Sequence, residues 1–155
     1  MKVSYGLLVT TLAASLLGVA LSPGHAMEDV PPVRMIPGSE PGVHADILSL
    51  KRTEGGLLTL RIAFANETGG EIKSKAFPGG GAVERIALFD FTHKRKYPVL
   101  FTSDGACLCT SLNPLTASGP GTRILWAKFS APPASVTRVS LMFPDDEPVD
   151  DVPIN

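Results

Sequence analysis

From Leu57 onward apolar residues fall at every second position: Leu58, Leu60, Ile62 and Phe64, with Thr59 and Arg61 on the opposite side. A period of two is that of a strand with one buried face. The run before it, ADILSLKRT, is joined to it by Glu54-Gly55-Gly56. A glycine pair between two such runs predicts a hairpin. Asn66-Glu67-Thr68-Gly69-Gly70 stops the second run, and SKAFPGGGA reads as a glycine-rich loop. VERIALFDF and YPVLFT follow as further strands, with His93-Lys94-Arg95-Lys96 between them as a hairpin tip. SLNPLTASGPGT is a loop by composition. RILWAKFS is the next strand, with Leu125, Ala127 and Phe129 on one face and Ile124, Trp126 and Lys128 on the other. VTRVSLMF closes the ordered part, with Val139, Leu141 and Phe143 on one face.

No helical period persists in residues 27–155. Strand-sized runs at close intervals, broken by Gly and Pro, predict an all-β fold. An immunoglobulin-like antiparallel β-sandwich is the expected architecture.

The two ends read differently. Lys2, the apolar run Tyr5 to Leu21, and SPGHA with small residues at Gly24 and Ala26 make a Sec-type signal peptide over residues 1–26. Cleavage is expected after Ala26. Residues 27–43 form a proline-rich arm, residues 44–144 the sandwich, and residues 145–155 an acidic, proline-broken tail.

Composition sharpens the compartment more than the chemistry. With 14 Lys and Arg against 15 Asp and Glu, the net charge is −1. A nucleic-acid-binding chain carries a strong basic excess, so no nucleic-acid partner is expected. No stretch after the leader is long and apolar enough to span a bilayer, so no stable membrane insertion is expected after cleavage. Location is read as secreted, periplasmic or cell-envelope. Disulfides persist in such compartments.

The two cysteines, Cys107 and Cys109, are one residue apart. On a regular strand such residues lie about 6.6 Å apart on one face. A disulfide needs β-carbons about 3.5–4.5 Å apart, so a bridge requires the chain to turn at Leu108. Asp104-Gly105 signals a turn just upstream. A ring this small would stabilise the chain globally by only about 1.6 kcal/mol, so it would shape one loop. A soft-metal site for copper or zinc, with Cys107 and Cys109 helped by His93, His44 or Met142, is the alternative. Disulfide exchange is a third reading, although redox pairs more often show Cys-x-x-Cys at a helix start. No cofactor is required by the favoured reading.

Trp126 and Lys128 are candidate partner-surface residues, because an outward tryptophan on a sheet face can anchor a partner. A covering loop or the proline-rich arm is the competing explanation. The basic tetrad at residues 93–96 reads as a solvated tip, with attraction to anionic lipid or polymer as its functional counterpart. The acidic residues at positions 145–151 match no EF-type calcium loop. Asn66-Glu67-Thr68 fits a glycosylation sequon. Gly-x-Ser-x-Gly and His-Glu-x-x-His are absent, and the glycine-rich loop lacks the lysine of a phosphate loop. No catalytic residue is proposed, and the chain is not read as an enzyme.

Four segments, Tyr97 to Val99, Asp104 to Cys109, Leu125 to Phe129 and Asp151 to Ile154, resemble a module of exported bacterial proteins, notably actinobacterial envelope proteins. That module shows Tyr-Pro-Val, Asp-Gly-x-Cys-x-Cys, Leu-Trp-Ala-x-Phe and Asp-Val-Pro-Ile in this order, and can precede an OmpA-like domain. The 155 residues hold no OmpA-like domain. The resemblance implies a β-fold and an envelope location, with an envelope protein or polymer as partner. It implies no catalytic activity.

Overall fold

A computed structural model describes residues 33–110, 116–118 and 121–155. The signal peptide (1–26), the first part of the arm (27–32) and residues 111–115 and 119–120 lie outside the described residues. The strands in chain order are β1 (Arg34–Pro37), β2 (Val43–Thr53), β3 (Leu57–Asn66), β4 (Glu71–Lys73), β5 (Ala87–Asp90), β6 (Arg95–Pro98), β7 (Thr116–Ser118), β8 (Gly121–Ser130), β9 (Arg138–Met142) and β10 (Val149–Pro153). Three short 3₁₀ turns, at Ser74–Ala76, Pro78–Gly81 and Val83–Arg85, lie between β4 and β5.

The hairpin expected around the glycine pair is present. β2 and β3 pair antiparallel from Val43 opposite Asn66 to Thr53 opposite Leu57, with a bulge between Ile47 and Ser49. Gly55 and Gly56 both have positive φ, which lets three residues reverse the chain. β8 then pairs with β3 along its whole length, from Leu57–Ser130 to Asn66–Gly121. The resulting sheet has the order β1-β2-β3-β8, and a second has the order β10-β9-β5-β6. β4 and β7 form a separate two-stranded ribbon. The fold is therefore an all-β, two-sheet antiparallel sandwich. Its second and third strands pair as a hairpin within one sheet.

The core lies between the sheets. Leu58, Leu60, Ile62 and Phe64 of β3 and Leu125, Ala127 and Phe129 of β8 are buried against Leu88, Val139, Leu141 and Phe143 from the second sheet side. These are the alternating positions read from the sequence. Each fully buried Leu, Ile or Phe contributes about 1.5–3 kcal/mol relative to exposure, so the core supplies the main driving force.

Backbone pairing crosses between the sheets at two seams. Beyond β6 the chain runs straight on, and Val99 bridges to Phe129 of β8. Beyond β10, Asn155 N–H donates to Leu50 O (2.9 Å) and Asn155 O accepts from Arg52 N–H (2.9 Å), on β2. β1 occupies the same edge of β2 further along, opposite residues 44–47. The Arg52 guanidinium reinforces this corner by donating to the carbonyls of Pro132 (2.8 Å), Pro133 (3.0 Å) and Val136 (2.9 Å).

Several expectations change. The acidic stretch at 145–155 is not a free tail: Val149–Pro153 is β10, paired with β9, with Val149 and Val152 buried. Val149 and Val152 lie three residues apart with a bulge between them, so the strand shows no period of two in the sequence. The arm contributes β1, whose terminal Pro37 suits an edge strand. VERIALFDF is a 3₁₀ turn followed by a four-residue strand. The glycine-rich loop is packed: Gly79 has φ +63, and a β-carbon there would lie 2.7 Å from Pro144 Cδ. Part of the loop SLNPLTASGPGT is β7.

Arg52→Met keeps the apolar stem and removes three donors to carbonyls. Thermal or urea unfolding of this variant is expected to show a loss of about 2 kcal/mol, since hydrogen bonds to charged groups contribute about 1.5–3 kcal/mol each where buried and less where solvent competes.

Candidate functional site

The Asp104–Cys109 segment folds into a small hairpin laid along β8. Thr102 N–H donates to Ala106 O (2.8 Å), and Gly105, at φ +84, donates its N–H to Thr102 O (3.0 Å). The Thr102 hydroxyl accepts from Ala106 N–H at 3.0 Å. Phe101 bridges to Cys107 across the turn.

Cys107 and Cys109 are joined as a disulfide with Cα atoms 5.2 Å apart. The ring centres on Leu108, where the sequence required a turn. Leu108 N–H donates to Leu100 O (2.8 Å), while its carbonyl accepts from Lys128 N–H (2.9 Å). Lys128 O in turn accepts from Leu100 N–H (2.9 Å). Three backbones thus meet around the clip. Next along, Cys109 bridges to Ala127, Thr110 N–H donates to Trp126 O (2.8 Å), and Trp126 N–H donates to the Thr110 hydroxyl (3.2 Å).

The structure therefore brings together the two candidate features, Cys107–Cys109 and Trp126–Lys128, which the sequence left separate. Trp126 stands on the outer face of the first sheet, 39% exposed, beside Ile124, 40% exposed. Its cross-strand neighbour is Arg61, and that of Lys128 is Thr59. β1, the described part of the arm, sits at the opposite edge of this sheet and does not cover Trp126.

The soft-metal alternative is not assembled. Both sulfurs are used by the bridge. His93 is held by Asp90 and His44 lies 3.4 Å from Asp46. Among the described residues no group of three His, Cys, Asp or Glu is placed to hold a metal. Met142 is paired in β9 opposite Ala87. The sequon is not presented for modification either, because Asn66 is 2% exposed and its amide donates to Gly70 O (3.0 Å).

The sequence reading missed the Asp90–His93 pair. Asp90 is 3% exposed, and its carboxylate accepts from His93 N–H at 3.2 Å while lying 2.6 Å from His93 Nδ1. Burial pushes the Asp90 carboxyl up, but the bonds from the His93 ring and backbone, the His93 charge and the Thr92 N–H outweigh it and hold the carboxyl below its ordinary range. Asp three residues before His across a turn was the available signal. The pair fixes the β5–β6 turn.

No family model, curated protein or solved structure matches the chain.

Two outcomes follow from this geometry. Reducing the bridge, or replacing both cysteines by serine, should raise amide exchange at Leu100, Leu108, Thr110 and Lys128. Amides along β2 and β3 should stay protected, with a global loss of about 1–2 kcal/mol. A uniform rise across both sheets would show instead that the clip supports the whole fold. For Asp90, a depressed native pKa means a stabilisation present above the ordinary carboxylate pKa and lost as pH falls through the native value. Melting curves of the wild type and Asp90→Asn should therefore differ near neutral pH and converge in acid below the usual carboxylate range.

Proposed function

We propose that the protein is an exported, non-catalytic binding or accessory module of the bacterial cell envelope. The reading draws on the leader-like residues 1–26, on a disulfide that suits an oxidising compartment, and on the resemblance of four segments to an envelope module. The observation that carries it is the continuity of Trp126 and Ile124 with the clipped hairpin. A half-exposed tryptophan on a stiff sheet loses little entropy when it anchors a partner, and such residues dominate interface energies. Arg61 and Lys128 border it with cationic groups that suit an anionic envelope protein or polymer.

The test is co-sedimentation with isolated bacterial envelopes, before and after protease stripping, which separates a protein partner from a polymer. Trp126→Ala, with an unchanged melting curve, should weaken retention at least about tenfold, as expected for a hot-spot tryptophan. Retention equal to wild type removes this face from the reading, and no retention of the wild type removes the reading itself.

A further inference from the structure

A second surface, on the other sheet, carries a different chemistry. The β5–β6 connection is the turn at residues 91–94, followed by Arg95 and Lys96 in β6. Phe91 at this tip is 61% exposed. It is held edge-on against Phe89, with ring centroids 4.5 Å apart. Lys94, Arg95 and Lys96 are all exposed, so three of the chain's 14 cationic side chains lie within five residues of that ring.

The tip is rigid. Asp90 holds the turn through His93, as described above, and Lys94 is set in the left-handed region at φ +53. Asp90 is buried against His93 and presents no free negative charge. The carboxylates of β10 are also engaged: Asp150 accepts from the Ser140 hydroxyl at 2.6 Å, and Asp151 pairs with Arg138.

Charge is polarised along this sheet. Ala87 lies opposite Met142, so the β9–β10 connection leaves at the end of the sheet away from the β5–β6 tip. That far end carries exposed Asp145, Asp146 and Glu147. Asp145 lies 3.9 Å from Arg85 and Asp146 accepts from Gly79 N–H. Asp145, Asp146 and Glu147 project at the end away from the cations, while the exposed Asp150 and Asp151 lie nearer the tip on β10 and are engaged as above.

We propose that the β5–β6 tip docks the protein peripherally on an anionic phospholipid surface, with Phe91 entering the headgroup–acyl boundary and Lys94, Arg95 and Lys96 contacting headgroup phosphates. A ring fringed by cations is the pairing that interfacial binding uses, since apolar burial and headgroup attraction each give only weak association alone. Cations on an edge strand also discourage edge-to-edge aggregation, which accounts for Arg95 and Lys96. It does not account for Phe91 or for Lys94 in the turn. This proposal concerns a surface separate from Trp126 and stands independently of the envelope-module reading.

The test uses the full chain with sedimenting vesicles of phosphatidylglycerol or of phosphatidylcholine. Wild type should bind the anionic vesicles and release with salt. Each cation near such a surface is worth about a fivefold factor in partitioning. Lys94→Glu/Lys96→Glu should therefore bind at least about twenty-five-fold more weakly, and Phe91→Ala about tenfold more weakly. Phe91→Trp in a Trp126→Phe background keeps an aromatic tip and adds a reporter. Its emission should shift blue on anionic vesicles only. Equal binding to both vesicle types, or binding that neither tip variant changes, overturns the proposal by placing attachment elsewhere in the chain. Charge variants that aggregate yet bind as wild type make the cations edge guards and also overturn it. Binding to soluble polyphosphate as tight as to vesicles, with Phe91→Ala unaffected, replaces the bilayer with a soluble polyanion.

Discussion

Every strand at the edge of a sheet leaves a row of N–H and C=O groups that must find partners or water. The arrangement of this domain follows from how two of those rows are met. The edge of β8 is paired by the continuation of β6 and by the clipped hairpin. The edge of β2 is paired by β1 over one part and by Asn155 over another. Val99 and Leu100 beyond β6, and Asn155 beyond β10, arrive from the second sheet, so these pairings also tie the sheets together. The sandwich is stapled along two seams as well as glued by its core, and Arg52 tightens one of them with its three carbonyl contacts.

Seen this way, the four segments that resemble an envelope module share a structural location. Val99, Cys107 to Cys109 and Leu125 to Phe129 meet at the first seam, and Asp151 to Ile154 leads into the second. Their residue types suit pairing, turning and burial, and none of the four presents a cluster of acid–base groups. The Cys-x-Cys ring belongs to the same logic. It turns Leu108 so that its N–H and C=O point to different neighbours, Leu100 and Lys128. The tryptophan next to it then stands on a support that is held on two sides.

The legible part of the fold was the part governed by alternation. Leu58 to Phe64, Leu125 to Phe129 and Val139 to Phe143 each announce a half-buried strand, and each is buried on the expected face. β10 was obscured because Val149 and Val152 are separated by two aspartates, and a bulge breaks the period of two. The residues of the exposed face were equally legible, Trp126 among them, because they follow from the same period. Their company was not. Which loop lies beside Trp126 depends on pairing between residues far apart in sequence, and local pattern carries no register across such distances. Asp90 and Arg52 escaped for a related reason. Each looked like an ordinary surface charge until a turn and a distant loop supplied its partners.

The Asn155 seam also has a meaning in time. Its partners, Leu50 and Arg52, are among the first residues of the domain to be synthesised, yet their edge stays open until residue 155 has arrived. β3 likewise waits for β8. Loop closure over such separations is slow, and a sandwich of this kind cannot complete itself hairpin by hairpin as it emerges. The edges of β2 and β3 therefore stay unpaired in the growing chain until these distant residues have been made.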